Sequence, residues 1–375
     1  MSAGITPIIM PKWGLEMREG TIAGWLVDEG ARIGVGTPLL DVETDKISNT
    51  VEAPDPGLLR RKVAPEGETL PVKALLGVLA ESEVSDADID AYIAAYEVPA
   101  AGAADEDAGP AYERAEVDGI RVRYARRGAG EGVPVLFLHG FGGDLNNWLF
   151  NLDAAAEVAP VIALDLPGHG ESDARLPGTG LADMARFVAA FLDRIDVERA
   201  HVVGHSMGGA IAAQLALEQP GRVASLTLVG SAGLGIEING EYTGGFVRAA
   251  SRRELKPVVE QLFADPSLVS RQLLDDLLKY KRLDGVGELL GQLGSALFGD
   301  GRQAETPGLK LGAGAPPLLV VWGAEDRVIP AAHAAHAPAG ATVEVLPGAG
   351  HMVMMEKAGD FNTLLKRQIR PRGAG

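Results

Sequence analysis

At 375 residues the chain is longer than one domain usually runs, so two domains, or one with a large insertion, are expected. Hydrophobic residues make up 46% and charged residues 23%, a soluble globular balance, and no apolar run reaches the roughly 18 residues that suggest a membrane span. There is no cysteine, so disulfides, thiol nucleophiles and thiolate metal sites are excluded, and the net charge of −17 is concentrated in residues 81–118, which hold 1 basic and 12 acidic side chains.

An acidic linker between two nearly neutral domains therefore explains the charge better than an acidic binding face does. No basic stripe speaks for nucleic acid. The opening "MSAGITPIIMPKWG" lacks a basic region followed by an apolar core, so the cytoplasm is the expected location.

Residues 1–80 show short apolar runs broken by glycine, proline and acidic turns, as in "TIAGWLV", "PLLDVET" and "LLGVLAE", which predicts an all-β unit. A weak repeat runs through them at an offset of 37: Glu29-Gly30 matches Glu66-Gly67, Ile33 matches Leu70, and Leu39 and Val42 match Leu76 and Leu79. Two similar halves meet near Lys46, where an exposed turn is expected. With "ETDKI" at that junction, the stretch from Pro11 to Gly57 resembles a lipoyl domain of a 2-oxoacid dehydrogenase complex. The resemblance implies a flattened β-barrel with lipoate in amide linkage on Lys46, attached by a lipoyl ligase. A biotinyl domain shares that fold, but its lysine is normally flanked by methionines, whereas Lys46 stands between Asp45 and Ile47.

In the acidic segment, 81–116, "SEVSDADIDAYIAAYEVP" predicts a short helix capped by Ser85, with Asp88 at its third position. Ile89, Tyr92, Ile93 and Tyr96 share one face, which suits docking on the helix's own domain. "PAAGAADEDAGPA" then has the composition of a flexible linker.

From 117 to 370 apolar strands alternate with amphipathic helices, the pattern of a mostly parallel sheet covered on both faces. Between Gly230 and Pro317 the mostly helical sequence reads as an inserted cap, about 235–310. Gly204-His205-Ser206-Met207-Gly208 lies between a strand and a helix, where small residues two places either side of a serine permit a tight turn exposing its hydroxyl. A serine hydroxyl needs a histidine base, and that base an orienting acid. Asp326, in "VVWGAEDRVIP", and His351, after the last strand, follow in the order serine, acid, histidine, with Glu325 as the rival acid. This half resembles an α/β-hydrolase with a cap. That resemblance makes the backbone N–H groups of Phe141, in "FLHGFGG", and Met207 the expected oxyanion donors, with His139 and Gly140 shaping the loop and His169 in a loop that lines the site.

The fusion constrains both halves, since a lipoyl arm carries an acyl group as a thioester and a Ser-His-Asp site can accept it. The architecture resembles the acetyltransferase component of acetoin dehydrogenase complexes. It implies transfer of acetyl from the arm to coenzyme A, with a thiamine-diphosphate-dependent dehydrogenase component and dihydrolipoamide dehydrogenase as partners. The H-x-x-x-D-G motif of other such acyltransferases is absent, as is a convincing subunit-binding domain. Hydrolysis to the free acid, or a noncatalytic carrier, are the alternatives. The cap's Arg248, Arg252 and Arg253 are expected phosphate contacts for coenzyme A, the alternative being a solvated helix face that Glu254, Asp275 and Asp276 neutralise. No metal site is expected, and the expected assembly is a homo-oligomer.

Overall fold

The computed structural model describes residues 4–11, 17–34, 36–44, 48–53, 55–98, 112–128, 132–312 and 314–370. The chain divides into two compact units, Met1–Pro110 and Ala111–Gly375. Among the described residues no helix is long and apolar enough to cross a membrane.

The first unit holds β1 (Ile5–Ile9), β2 (Glu19–Trp25), β3 (Arg32–Ile33), β4 (Pro38–Glu43), β5 (Ser48–Glu52), β6 (Gly57–Lys62), β7 (Thr69–Pro71) and β8 (Leu75–Ala80). They form two four-stranded sheets of order β1-β8-β6-β3 and β5-β4-β2-β7. Exchanging β1 to β4 with β5 to β8 turns one order into the other, so the sequence repeat is a structural two-fold. The repeat is mirrored in its hydrogen bonds. Glu29 Oε1 accepts from Lys62 N at 2.7 Å and Glu66 Oε1 from Trp25 N at 3.2 Å, while Gly30 N donates to Leu59 O and Gly67 N to Ile22 O. Both glycines have positive φ, 86° and 82°, which lets each turn tuck under the opposite half. Leu39, Leu76, Val42 and Leu79 are buried between the sheets.

Helix α1 (Asp86–Ala95) begins at Ser85, whose hydroxyl accepts from Asp88 N. Ile89 is fully buried against Leu75, Val78 and Ala80, with Tyr92, Ile93 and Tyr96 packed around it. This helix thus completes the first unit, extending it past residue 80. The expected linker "PAAGAADEDAGPA", residues 99–111, lies wholly outside the described residues.

The second unit starts earlier than the expected residue 117, because β9 (Tyr112–Val117) pairs antiparallel with β10 (Ile120–Arg127). It continues with β11 (Val135–Leu138), α2 (Leu152–Ala156), β12 (Val161–Leu164), α3 (Leu181–Arg194), β13 (Ala200–His205), α4 (Met207–Glu218) and β14 (Val223–Val229). The cap follows, with α5 (Gly240–Arg248), α6 (Arg252–Val259), α7 (Arg271–Lys281) and α8 (Val286–Phe298), then β15 (Leu318–Gly323), β16 (Thr342–Leu346), α9 (Val353–Glu356) and α10 (Ala358–Ile369). The sheet order is β16-β15-β14-β13-β11-β12-β10-β9, parallel from β12 to β16. Its central strands are apolar on both faces because helices cover both, and the loops after their C-terminal ends converge on one edge.

Candidate active site

Ser206 joins β13 to α4 with φ 52° and ψ −119°, a conformation that costs a non-glycine residue about 1–3 kcal/mol. The surroundings impose it. A Cβ on Gly204 would stand 2.4 Å from Gly208 O, and one on Gly208 would stand 2.4 Å from Leu138 O, so only glycine at both places lets the chain turn this tightly. Ser206 N donates to Val229 O at 3.0 Å, fixing the turn to the neighbouring strand.

His351 follows β16 on a glycine turn. Its Nδ1 lies 2.8 Å from Asp326 Oδ2, with the histidine and aspartate side chains 2% and 0% exposed. Asp326 Oδ1 accepts from Val328 N and Ile329 N at 2.8 and 2.9 Å, so both carboxylate oxygens are engaged. The rival, Glu325, instead accepts from Ala349 N at 3.0 Å and braces the turn before His351. With Nδ1 committed to Asp326, Nε2 is the nitrogen left for chemistry. Gly230, at φ 46°, ends β14 directly beside this pair, and a Cβ there would meet His351 Nδ1 at 3.2 Å and Asp326 Oδ2 at 3.4 Å.

The loop after β11 closes against Ser206, since a Cβ on Gly140 would lie 3.0 Å from Ser206 Cβ. Phe141 follows in that loop, and Met207 is the first residue of α4, so its N–H has no intrahelical carbonyl to meet. His139 holds the loop in shape. Leu166 N donates to its Nε2 at 2.9 Å, which leaves the proton on Nδ1 to donate to Gly140 O at 2.8 Å. Full burial pushes the His139 pKa down to about 4, so it is a neutral brace.

Sequence reasoning missed two supports. The ring of His205 lies 4.6 Å from that of His351, and its Nε2 is 3.1 Å from His351 O. Burial holds its pKa well below the usual value. Glu356 accepts from Gly350 N and Ala264 N at 2.7 and 2.8 Å, tying the histidine loop to the cap, and burial raises its pKa. The glutamate five residues after His351 in "HMVMMEK" was the available signal.

The cap arginines do not form one cluster at this site. Arg252 forks onto Asp275 through Nε and Nη2, the latter at 2.7 Å, so an acid on α7 competes with phosphate for this side chain. Arg248 ends α5 and, with Val247, Gly294, Ser295 and Phe298, lines a cavity of about 590 Å³ between α5 and α8. Lys46 lies in the chain between β4 and β5, whose last described pairing is Glu43 with Ser48; residues 45–47 are outside the described residues.

Comparison with known proteins agrees with both units. Residues 6–79 match the family described as biotin-requiring enzyme, and residues 133–358 match the alpha/beta hydrolase fold family. The dihydrolipoyllysine-residue acetyltransferase component of the acetoin cleaving system of Cupriavidus necator is 65% identical over 98% of this chain and 98% of its own. The component of that name from Pseudomonas putida is 52% identical over 98% of this chain and 99% of its own. Among solved structures, Est816, an N-acyl homoserine lactone degrading enzyme, superposes with a TM-score of 0.57 at 30% identity, over 68% of this chain and 100% of its own. Identity at this level, running through both units and the segment between them, places the chain in the family of dihydrolipoyllysine-residue acetyltransferase components of acetoin cleaving systems.

Proposed function

We propose that Lys46 carries the lipoyl group and that acetyl passes from its dihydrolipoyl thioester to Ser206 and then to coenzyme A. His351 Nε2 takes the Ser206 proton as Oγ attacks the thioester carbonyl. The C–S bond breaks, the proton returns to the departing lipoyl sulfur, and an acetyl-serine ester remains. The thiol of coenzyme A then gives its proton to His351 and attacks that ester, and Ser206 recovers the proton as acetyl-coenzyme A leaves. Both tetrahedral intermediates put negative charge where the N–H groups of Phe141 and Met207 can meet it.

The observation that carries this reading is the buried Asp326–His351 pair behind a strained Ser206, on a chain that also bears a lipoyl-type unit. Asp326 holds the imidazole in the tautomer that leaves Nε2 free to act. In the assembled system a thiamine-diphosphate-dependent dehydrogenase loads the arm and dihydrolipoamide dehydrogenase reoxidises it. Of the three cap arginines expected to meet the phosphates of coenzyme A, Arg248 and Arg253 remain the candidates.

Acid-quenched protein, acetylated on its arm and held without coenzyme A, tests the intermediate. Peptide mass analysis should find acetyl on Ser206 in the parent and none in Ser206→Ala. An arm that transfers acetyl to coenzyme A at the parent rate in Ser206→Ala would end the proposal.

A further inference from the structure

We propose that His169 binds the acceptor thiol: its Nε2 accepts a hydrogen bond from the amide N–H that stands two carbons from the sulfur in coenzyme A and other N-acylcysteamine thiols. This rests on the acyl-transfer reading above and adds the residue by which the site tells its acceptor from water.

His169 follows the C-terminal end of β12, beside the loop of β11 that carries Phe141, on the edge of the sheet where ligands bind in open α/β folds. Its side chain is fully buried. The ring packs edge-on against Phe141 at 6.4 Å and stacks on Tyr280 of α7 at 6.5 Å. Nδ1 is 3.0 Å from Pro167 O, which can only accept, so Nδ1 carries the proton and Nε2 presents a bare lone pair. Among the described residues that Nε2 has no hydrogen-bond partner. Burial pushes the pKa of the ring to about 3, so at neutral pH it is an uncharged acceptor.

The loop is held from the cap. Tyr280 Oη donates to Gly168 O at 2.7 Å, and the place of a side chain on Gly168, at φ 79°, is filled by Leu289 of α8. A desolvated acceptor is thus fixed at the seam of core and cap, next to the loop that reaches Ser206. Buried acceptors without partners are rare because they lose their water and gain nothing, which points to a donor that arrives with a ligand.

The chemistry of the reactants narrows that donor. An acetyl thioester has no N–H or O–H at its reacting end. The dihydrolipoyl arm has an amide, but its whole alkyl chain separates that amide from the sulfur. Coenzyme A presents an amide N–H two carbons from its thiol, and the loop after β11 touches His169 through Phe141 and approaches Ser206 at Gly140. Binding there favours the thiol over water at the acetyl-serine stage.

The test uses the full chain and two small thiols, N-acetylcysteamine and 1-propanethiol, as acceptors for acetyl from a small acetyl ester, in the parent, His169→Phe and His169→Gln. The parent should prefer N-acetylcysteamine by about 5- to 10-fold in kcat/KM, carried by KM. His169→Phe should bring the ratio of the two thiols to near one. His169→Gln, whose side-chain oxygen can stand where Nε2 does, should keep part of the preference. The ratio should not change between pH 6 and pH 8. A parent that uses both thiols without preference, or a ratio unaltered in His169→Phe because the acceptor holds only water or the ring only packs, overturns the inference alone. Release of acetate with transfer to neither thiol overturns the acyl-transfer reading as well.

Discussion

Ser206 shows how far single residues decide the site. Its backbone strain is sustained by contacts that tolerate no side chain at Gly204 or Gly208. Gly208→Ala should therefore push α4 off the end of β11, at about 1–3 kcal/mol of stability, and abolish acetylation of Ser206; an unchanged melting temperature with full acetylation would contradict this. Asp326→Asn should cost about 10³- to 10⁴-fold in kcat, because the amide can hold the wrong imidazole tautomer while the bonds to Val328 and Ile329 persist. The buried histidines carry a pH prediction. His139 and His169 have pKa values pushed down to about 4 and about 3 by burial, so below their unfolded value the unfolded chain binds more protons than the native one. Their contribution is present above about pH 6.5 and is lost as pH falls towards 4, at roughly 2 kcal/mol each by pH 5. Urea midpoints of the second unit should be clearly lower at pH 5.0 than at 7.5, and the gap should shrink in His139→Asn; equal midpoints would contradict it. The serine, acid and histidine positions were legible because each follows a recognisable strand. The braces His205 and Glu356 were not, because their roles depend on which loops meet in space.

At the scale of elements, the repeat in the first unit was legible because identical turns need identical residues: glutamate to accept a backbone N–H from the other half, then glycine to turn back. The docking of α1 was equally readable from its apolar face. Ile89→Ala should destabilise the first unit by about 2–4 kcal/mol while leaving cleavage of a small acetyl ester by the second unit intact; loss of both together would mean that α1 does more than cover its own barrel. The cap was harder to read. "FVRAASRRELK" looks basic in one dimension, with Glu254, Asp275 and Asp276 as acids able to neutralise it, and α7 brings Asp275 across to Arg252. Arg252→Ala should thus leave the KM for coenzyme A unchanged, whereas Arg248→Ala should raise it severalfold and Arg248→Lys should restore part of the loss. The reverse pattern in steady-state kinetics would return the phosphate site to α6. The boundary of the second unit was also placed late, because "YERAEV" reads as acidic linker until its pairing with β10 is seen.

The whole molecule joins two units that would each be ambiguous alone, a carrier without an enzyme and a serine site without a substrate. Composition predicts that the segment from Pro99 to Pro110 is a tether, so shortening it should slow transfer from the attached arm while sparing turnover of a free small thioester. Equal loss with both substrates would indicate damage to folding instead. The most direct measurement is of products from one turnover. Protein lipoylated on Lys46 and loaded with acetyl is mixed with coenzyme A, and acetyl-coenzyme A and acetate are quantified for the parent, Lys46→Arg and Ser206→Ala. The account predicts nearly all acetyl as acetyl-coenzyme A from the parent, no loading of Lys46→Arg, and acetyl retained on the arm of Ser206→Ala. Acetate as the main product of the parent, or acetyl-coenzyme A formed at the parent rate by Ser206→Ala, would contradict it.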